Sequence, residues 1–170
     1  MRTVKILFLI CFMVNAHLYS QNETTLKAID NQVWMPFTKA FETFDYSLFA
    51  SIHSIELIRI NADNKRIQDK ISYITGYKER WKTKEMSQTI SFRFFERFNN
   101  EHSASERGIY KLTIYPDTDK EQSYYGQFHV ILKNENGNWK ILVDYDSSEK
   151  NTVDSTLYYI AFPIDDYSKY

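Results

Sequence analysis

The chain has 170 residues and a formal net charge of −1, from 21 Lys and Arg residues against 22 Asp and Glu residues. Proteins that bind phosphate backbones usually carry a strong positive excess, so we expect no nucleic-acid partner. The sequence has only 4 glycines, and neither G-x-x-x-x-G-K nor G-x-G-x-x-G occurs, which disfavours the common nucleotide-binding enzymes.

The first 20 residues have the layout of a secretory signal peptide. Two basic residues, Arg2 and Lys5, precede an apolar run over residues 6–14. A membrane-spanning helix needs roughly 20 apolar residues, so an uncleaved anchor is the less favoured alternative. Cys11 lies inside the apolar run, whereas a lipid-attachment cysteine would follow a small residue at its end. We therefore predict export to the periplasm or the cell exterior, with no stable membrane insertion after cleavage.

Helical periodicity dominates the first part of the remaining chain. From Thr25 to about Leu48, apolar residues recur in steps of three and four and therefore share one helical face. Pro36 removes a backbone donor inside that span, so we expect a kink there or a helix that begins near it. Two shorter helices are predicted over Tyr46–His53 and Ile71–Trp81. Between these two, the pattern predicts a strand over Glu56–Ile60, a polar turn, and a short returning strand over Arg66–Gln68.

The pattern then changes to the alternation of period two that is typical of strands. An Asn-Gly pair at residues 136–137, between two alternating apolar runs, predicts a tight hairpin. Helices followed by a run of antiparallel strands indicate an α+β fold rather than an alternating α/β fold. The four long strands are predicted over Ser87–Phe98, Gly108–Tyr115, Tyr124–Lys133 and Trp139–Tyr145.

The last part of the chain, residues 147–170, is a candidate extension to the domain. It begins with a polar stretch and becomes apolar from Leu157 to Phe162. We interpret it as a linker followed by an extra strand or a docked tail. A segment that binds a partner protein is the alternative.

Several stretches resemble the nuclear transport factor 2-like (NTF2-like) superfamily, in its DUF4440 and SnoaL-like branches. The order of helices, short hairpin, helix and long strands is similar to that superfamily over about residues 25–146. The residues that carry the resemblance are Tyr125–Lys133, Asn136–Ile141 and Asp144 in the final hairpin, Trp34, Ala40, Phe41 and Asp45 in the first helix, and Arg107–Tyr110 in the preceding strand.

The resemblance implies a strongly curved, mainly antiparallel sheet wrapped around the first long helix, with a cone-shaped cavity between them. It places the domain at residues 21–146, after the signal peptide at 1–20. Homodimers that form through the convex side of the sheet are common in this superfamily. Its catalytic members hold an Asp or a His in the cone, where burial raises the pKa of a carboxyl group and makes it a usable general base. Because the fold also hosts non-catalytic binding proteins, it does not define the function.

The orientation of the third long strand decides whether His129 belongs to the predicted pocket. Alternation places His129 on one face with Tyr125 and Gln127, and Phe128 and Val130 on the other. If the apolar face packs outward against a second subunit, the polar face lines the cone. If the apolar face packs on the first helix, His129 is exposed.

Charged residues on two other strands likewise face either the cone or the solvent. Asp144 and Asp146 lie two residues apart on one strand face, about 6.6 Å along the strand, as an acid–base pair or two oxygen ligands of a hard cation would. Solvated residues at the rim are the plainer interpretation. Arg93 and Arg97 share a strand face, and they bind a carboxylate if that face lines the cone, or only solubilise the sheet if it does not.

These observations predict a small-molecule pocket without a resident metal or cofactor. Adding His129 to the two aspartates gives three ligands without a repeated spacing, which is too weak to predict a metal site. His129 and Asp144 are the candidate catalytic residues. The predicted pocket consists of Trp34, Phe37, Phe41, Arg93, Tyr110, Tyr125, Gln127, His129 and Asp144.

Two classes of function remain open, with a third as a further possibility. Aromatic residues make up 16% of the chain, and together with the absent catalytic motifs they favour an exported protein that binds a largely apolar small molecule. The alternative is an isomerase or hydrolase with an Asp or His general base. The third possibility is a dimeric interaction module.

Overall fold

The computed structural model describes residues 23–83 and 86–170, so the predicted signal peptide lies outside the described residues. The helices are α1 over residues 23–43, α2 (Tyr46–Ser51), α3 (Lys70–Arg80) and α4 (Ser155–Ile160), and a 3-10 turn covers Tyr167–Lys169. The strands are β1 (His53–Asn61), β2 (Arg66–Gln68), β3 (Gln88–Asn99), β4 (Ser103–Ile114), β5 (Gln122–Glu135), β6 (Asn138–Ser147) and β7 (Phe162–Pro163). None of the helices in these two ranges is both long and apolar enough to cross a membrane.

The strands form one seven-stranded sheet in the order β2-β1-β6-β5-β4-β3-β7. Only β1 and β6 pair in parallel, and the other neighbours are antiparallel. The predicted α+β class is therefore confirmed. The predicted hairpin is also present, because β5 and β6 pair antiparallel up to Glu135 and Asn138. The two residues between them, Asn136 and Gly137, have φ angles of 55° and 87°, the positive values that a two-residue hairpin turn requires.

Helix α1 passes through Pro36 without a break. A π-helical turn, Asp30–Trp34, immediately precedes the α-helical second half, Met35–Thr43, and Pro36 lies in the first turn of that half. Inside a continuous helix a proline removes one backbone donor, and the π-helical turn just before Pro36 is the local departure from α-helical geometry that accompanies it. Instead of a kink or a helix start at Pro36, the structure has a π-helical turn that ends two residues before it.

The core lies between α1 and one face of the sheet, and half of its buried residues are aromatic. The ring of Trp34 is 4.6 Å from that of Phe92, 5.1 Å from that of Phe94 and 5.3 Å from that of Phe128, between centroids. These contacts come from both β3 and β5. The apolar face of β5 therefore packs on the first helix and not outward.

Strand β4 begins at Ser103, earlier than the predicted start at Gly108. The added residues are mostly polar, which hides the alternation, yet Ala104 and Glu106 are both buried. Gly108 lies inside the strand, where a Cβ atom would come within 2.0 Å of the Arg93 carbonyl oxygen. It therefore marks a close approach of two backbones and not a strand end.

A bulge in β3 exchanges the two faces of the strand. Phe94 pairs with Gly108 and Glu96 with the preceding residue of β4, so Phe95 is the extra residue. Such an insertion turns the following side chains to the opposite face. Arg97 consequently points inward, with 2% of its surface exposed, while Phe98 is 65% exposed. The prediction that Arg97 shares a face with Arg93 is wrong for this reason.

The inward turn of Arg97 builds a buried group of five side chains, which we call the closed cluster. Arg97 Nε donates to Glu106 at 3.0 Å, and its terminal nitrogens donate to Asp30. The second oxygen of Glu106 accepts from Trp34 Nε1, and the second oxygen of Asp30 accepts from the Tyr167 hydroxyl at 2.7 Å. Both carboxylates therefore have a partner on each oxygen.

Residues 147–170 are docked on the domain rather than free. Helix α4 is capped by Asp154, whose side chain accepts from the Leu157 backbone N–H at 3.1 Å, so most of the apolar stretch is helical. Strand β7 then pairs with β3, and the Ile164 carbonyl accepts from Arg97 at 3.1 Å. The segment therefore matches the interpretation as a docked tail. It also supplies two partners to the closed cluster, the Ile164 carbonyl for Arg97 and the Tyr167 hydroxyl for Asp30.

Candidate functional site

A cavity of about 100 Å³ lies between α1, α3 and the face of the sheet that packs on α1. It opens into a wider mouth of about 480 Å³ that shares six of its lining residues. The cavity wall consists of Trp34, Phe37, Phe41, Arg59, Tyr73, Tyr77, Ile90, Phe92, Tyr110, Leu112, Phe128, Val130, Asp144 and Asp146. Most of this wall is aromatic or aliphatic, and its charged groups come only from β1 and β6.

Those charged groups, Arg59, Asp144 and Asp146, form a second buried group around an arginine, and His53 lies next to Asp144. We call these four residues the cavity cluster. The parallel pairing of β1 and β6 sets Arg59 directly opposite Asp144, and Asp146 follows on the same face. Arg59 is 2.7 Å from Asp146 and 3.5 Å from Asp144, between nitrogen and oxygen atoms. The guanidinium also lies over the Tyr73 ring, 5.0 Å from its centroid.

The cavity cluster leaves hydrogen-bonding capacity unused. Within the described residues, His53 Nε2 and Arg59 Nε are buried without a partner. Both side-chain hydrogen bonds of Asp146, from Arg59 and from Asn61, end on Oδ1. The contact between Arg59 and Asp144, at 3.5 Å, is at the outer limit for a hydrogen bond. A polar group of a bound molecule could use the remaining capacity of the two carboxylates.

His53 lies behind Asp144, away from the cavity wall. Its Nδ1 is 2.7 Å from the Phe49 carbonyl oxygen, so Nδ1 carries the proton and Nε2 has a free lone pair. Nε2 is 4.0 Å from Asp144 Oδ2, too far for a direct hydrogen bond. Burial lowers the pKa of His53 to about 4, despite the opposing effect of Asp144, so the ring is neutral at physiological pH.

The remaining ionisable groups of the site also respond to burial. Desolvation raises the pKa of Asp146, and the nearby Arg59 limits the rise. Burial likewise raises the pKa values of Tyr73, Tyr77 and Tyr110, which keeps their hydroxyl groups protonated. The site therefore offers hydroxyl donors as well as carboxylate acceptors.

Tyr110 has its position because its cross-strand partner is a glycine. Tyr110 on β4 pairs with Gly126 on β5. A Cβ atom at Gly126 would come within 2.5 Å of the Tyr110 hydroxyl oxygen. The missing side chain thus leaves room for the tyrosine ring to lie across β5 and reach the cavity.

Five predicted pocket residues line the cavity, namely Trp34, Phe37, Phe41, Tyr110 and Asp144. The three on α1 follow from helical spacing, which places them on the face that packs on the sheet. Asp144 lies on β6, which together with β1 forms the charged side of the cavity wall. Whether any of these residues binds a ligand remains a prediction.

Three of the predicted pocket residues, Tyr125, Gln127 and His129 on β5, do not line the cavity. Their predicted placement is therefore corrected. Phe128 and Val130 are buried against α1, so Tyr125, Gln127 and His129 point to the opposite face. His129 is exposed there and its Nε2 is 2.9 Å from the Ser105 hydroxyl. The structure thus selects the sequence interpretation in which His129 is exposed, and it does not support a catalytic role inside the cone.

Arg93 also lies outside the cavity. Its Nε donates to the Ala161 carbonyl at 2.7 Å, and its guanidinium lies over the rings of Tyr158 and Tyr159, at 5.6 and 5.8 Å from their centroids. Residues 147–170 provide all three of these contacts. Arg93 therefore serves to dock the C-terminal segment on the outer face of the sheet.

Sequence reasoning missed Arg59 and the tyrosines of α3 as cavity residues. One signal for Arg59 was present, because it follows Leu57 in the buried phase of the β1 alternation. A charged side chain on the buried face of a strand requires a partner of opposite charge. The partner of Arg59 could not be identified before the pairing of β1 with β6 was known. Within residues 23–83 and 86–170, no group of three or more His, Cys, Asp or Glu side chains could hold a metal ion.

Comparisons with known proteins place the fold but not the activity. No protein-family model matches the chain, and no curated protein sequence matches it either. Similar solved structures include an NTF2-like protein of unknown function from Shewanella oneidensis, which is 17% identical with a TM-score of 0.58 and covers 75% of this chain and 98% of its own.

Two further structures carry names that mention an activity. A ketosteroid isomerase-like protein from Erwinia carotovora is 13% identical, with a TM-score of 0.56 and coverage of 72% of this chain and 94% of its own. A candidate aromatic ring hydroxylase from Novosphingobium aromaticivorans is 11% identical, with a TM-score of 0.59 and coverage of 72% and 87%. At such identities the likeness concerns the backbone alone, and on that evidence this chain has the nuclear transport factor 2-like fold.

Proposed function

We propose that the protein binds a small, largely apolar molecule in the cavity between α1, α3 and the sheet. The observation that carries the proposal is an aromatic-walled cavity with charged groups on one side only. Small-molecule sites are typically concave and apolar, with few polar groups that fix the orientation of the ligand. The unused capacity of Asp144 and Asp146 supplies such polar groups here.

Native mass spectrometry of the protein, purified without denaturation from the cells that make it, tests the proposal. We expect an additional small mass that disappears when the protein is denatured. Phe41→Ala and Tyr110→Ala should reduce the fraction that carries this mass, because both side chains form the wall. His129→Ala is the matched control, since His129 lies on the outer face of the sheet. Equal retention by all three variants would refute the proposal.

Acid–base catalysis at Asp144 is a second candidate, favoured by the unpartnered His53 Nε2 behind it. A proton accepted from a substrate by Asp144 would lie close to this lone pair, which could share it through a bridging hydroxyl or water. The candidate predicts an isomerase or hydrolase whose rate depends on pH through this pair. Unchanged turnover of a substrate in both Asp144→Asn and His53→Asn would refute it, whereas a loss confined to Asp144→Asn would leave His53 a structural role.

Export and dimer formation remain predictions from the sequence and the fold resemblance. Removal of the first 20 residues would shorten the chain at its amino end, which intact mass measurement of the purified protein can detect. The same native spectrum counts the subunits. A full-length mass in the cytoplasmic fraction would contradict export, and a monomer at high concentration would contradict the dimer.

A further inference from the structure

The mouth of the cavity differs in charge from its interior. Three arginines line the mouth, Arg59, Arg66 and Arg80, against one carboxylate, Asp146. Arg59 is bound between two aspartates, so its charge is already balanced. Arg66 and Arg80 are exposed and belong to none of the ion pairs or side-chain hydrogen bonds found within residues 23–83 and 86–170. Arg66 and Arg80 are therefore the two arginines of the mouth lining that are paired with no carboxylate of that lining.

Each of these two arginines is placed by the fold. Arg66 begins β2, the edge strand beside β1. Arg80 is in the last turn of α3, where its guanidinium lies over the Tyr77 ring at 4.3 Å from the centroid. Tyr77 lines both the mouth and the cavity. The stacking thus holds a cation at the point where a ligand would pass from solvent to the aromatic wall.

We propose that the bound molecule is an organic anion, which inserts its apolar part into the cavity and leaves its carboxylate or sulfonate group between Arg66 and Arg80. This inference rests on the proposed function and specifies its ligand class. Arginine is the side chain best suited to hold such planar or branched anionic groups. The tail of the molecule would be a ring or a short chain that the aromatic wall can cover.

The charges also determine which end of the molecule enters first. At the inner end, Asp144 and Asp146 outnumber Arg59, and His53 is neutral because burial lowers its pKa to about 4. An anionic group there would face two carboxylates in a poorly solvated space, which is unfavourable. At the mouth the same group meets two free guanidinium groups and remains partly hydrated. The apolar end therefore enters first.

A matched pair of fluorescent probes tests the inference on the purified full chain. The anion 8-anilinonaphthalene-1-sulfonate and the neutral N-phenyl-1-naphthylamine have the same ring skeleton and differ by the sulfonate group. We expect Arg66→Gln and Arg80→Gln each to weaken binding of the anionic probe by about two- to fivefold, as exposed charge contacts do. The double variant should lose about tenfold. Arg66→Gln should alter binding of the neutral probe by no more than about 1.5-fold. Arg80→Gln also removes the contact with the Tyr77 ring, and it should weaken the neutral probe clearly less than the anionic one.

Two controls separate this inference from non-specific effects. Lys65→Gln removes the same charge from the neighbouring turn, outside the mouth, and should leave both affinities unchanged. Leu112→Trp fills space where the cavity meets the mouth and should abolish binding of both probes, with Leu112→Phe as a smaller change if the first variant does not fold. Raising the salt concentration should weaken only the anionic probe.

The outcomes distinguish the two proposals. If neither probe binds, or if Leu112→Trp and Leu112→Phe leave both probes bound, small-molecule binding in this cavity is refuted and the present inference with it. If both probes require the cavity but the arginine variants weaken both equally or neither, the cavity proposal stands and the anion inference is overturned. Selective loss of the anionic probe supports both.

Discussion

Two buried clusters in this protein have the same composition at their centre, one arginine between two carboxylates, and opposite surroundings. In the closed cluster, Arg97 lies between Asp30 and Glu106, and each carboxylate oxygen has a partner. In the cavity cluster, Arg59 lies between Asp144 and Asp146, and hydrogen-bonding capacity is left over. The first arrangement fixes one geometry, and the second leaves room for a ligand.

The difference comes from what covers each cluster. The C-terminal segment seals the closed cluster with the Tyr167 hydroxyl and the Ile164 carbonyl. Among residues 23–83 and 86–170, no segment covers the cavity cluster in this way, and its carboxylates meet an open space of about 100 Å³. A buried polar group without a partner costs stability, and proteins keep such costs mainly at functional sites. This contrast supports a functional role for the cavity cluster and a structural role for the closed one.

The largest expected effect comes from removing the central arginine of the closed cluster. Arg97→Met leaves Asp30 and Glu106 buried without their cation, and we expect a loss of about 3–5 kcal/mol in the free energy of unfolding. Urea unfolding at neutral pH measures this. Arg107→Met is the matched control, because Arg107 pairs with the half-exposed Glu96 and ion pairs at the surface contribute little to stability. Equal losses in the two variants would show that the closed cluster is not a stabilising unit.

The next effect concerns the pH dependence of stability through His53 in the cavity cluster. Its pKa is about 4 in the folded chain against 6.5 for an ordinary histidine. As the pH falls from 6.5 to about 4, the unfolded chain takes up a proton that the folded chain does not, so the free energy of unfolding falls, by up to about 3 kcal/mol.

His53→Asn tests this, because it removes the titrating ring. Its free energy of unfolding should fall less steeply than that of the wild type between pH 6.5 and 4, as followed by urea unfolding at several pH values. Burial raises the pKa values of Asp146 and Glu106, which adds stability as the pH falls, but both groups are present in the two proteins. Parallel curves for the two proteins would contradict a neutral, buried His53.

The smallest expected effect compares two substitutions of nearly equal shape, one in each cluster. In Glu106→Gln, the new amide group must face either Arg97 or Trp34, and both are donors. In Asp144→Asn, the change removes the charge that faces Arg59 at 3.5 Å and His53 Nε2 at 4.0 Å, but the new amide group lies beside the cavity and is not held between two donors. We expect Glu106→Gln to destabilise by about 2 kcal/mol more than Asp144→Asn, measured by urea unfolding. Equal losses of stability in the two variants, or a larger loss in Asp144→Asn, would contradict the distinction between the two clusters.

Part of the candidate site was predictable, and particular residues show where the limit lies. Trp34, Phe37 and Phe41 follow from spacing along one helix, because a helix of this length presents only one apolar stripe to the sheet. On β5 the prediction was wrong for Tyr125, Gln127 and His129. Alternation separates the two faces of a strand, but it does not say which face meets the helix and which meets solvent or a partner.

The sequence alone therefore determined the features that depend on local preference. The α+β class follows from the change of hydrophobic period, and the hairpin at Asn136 and Gly137 follows from the positive φ angles that these residues tolerate. Each of these signals lies within a short segment, so no distant partner is needed to interpret it. The aromatic stripe of α1 has the same local origin.

Only the tertiary structure decided how the charged residues are grouped. The bulge at Phe95 turned Arg97 inward toward Asp30, 67 positions away in the sequence. The parallel pairing of β1 and β6 brought Arg59 to Asp144, 85 positions away. Both depend on strand register, which is fixed by packing across the whole sheet and not by the neighbours of either arginine. That is the physical reason why the aromatic residues of α1 could be predicted from the sequence, whereas the partners of Arg59 and Arg97 could not.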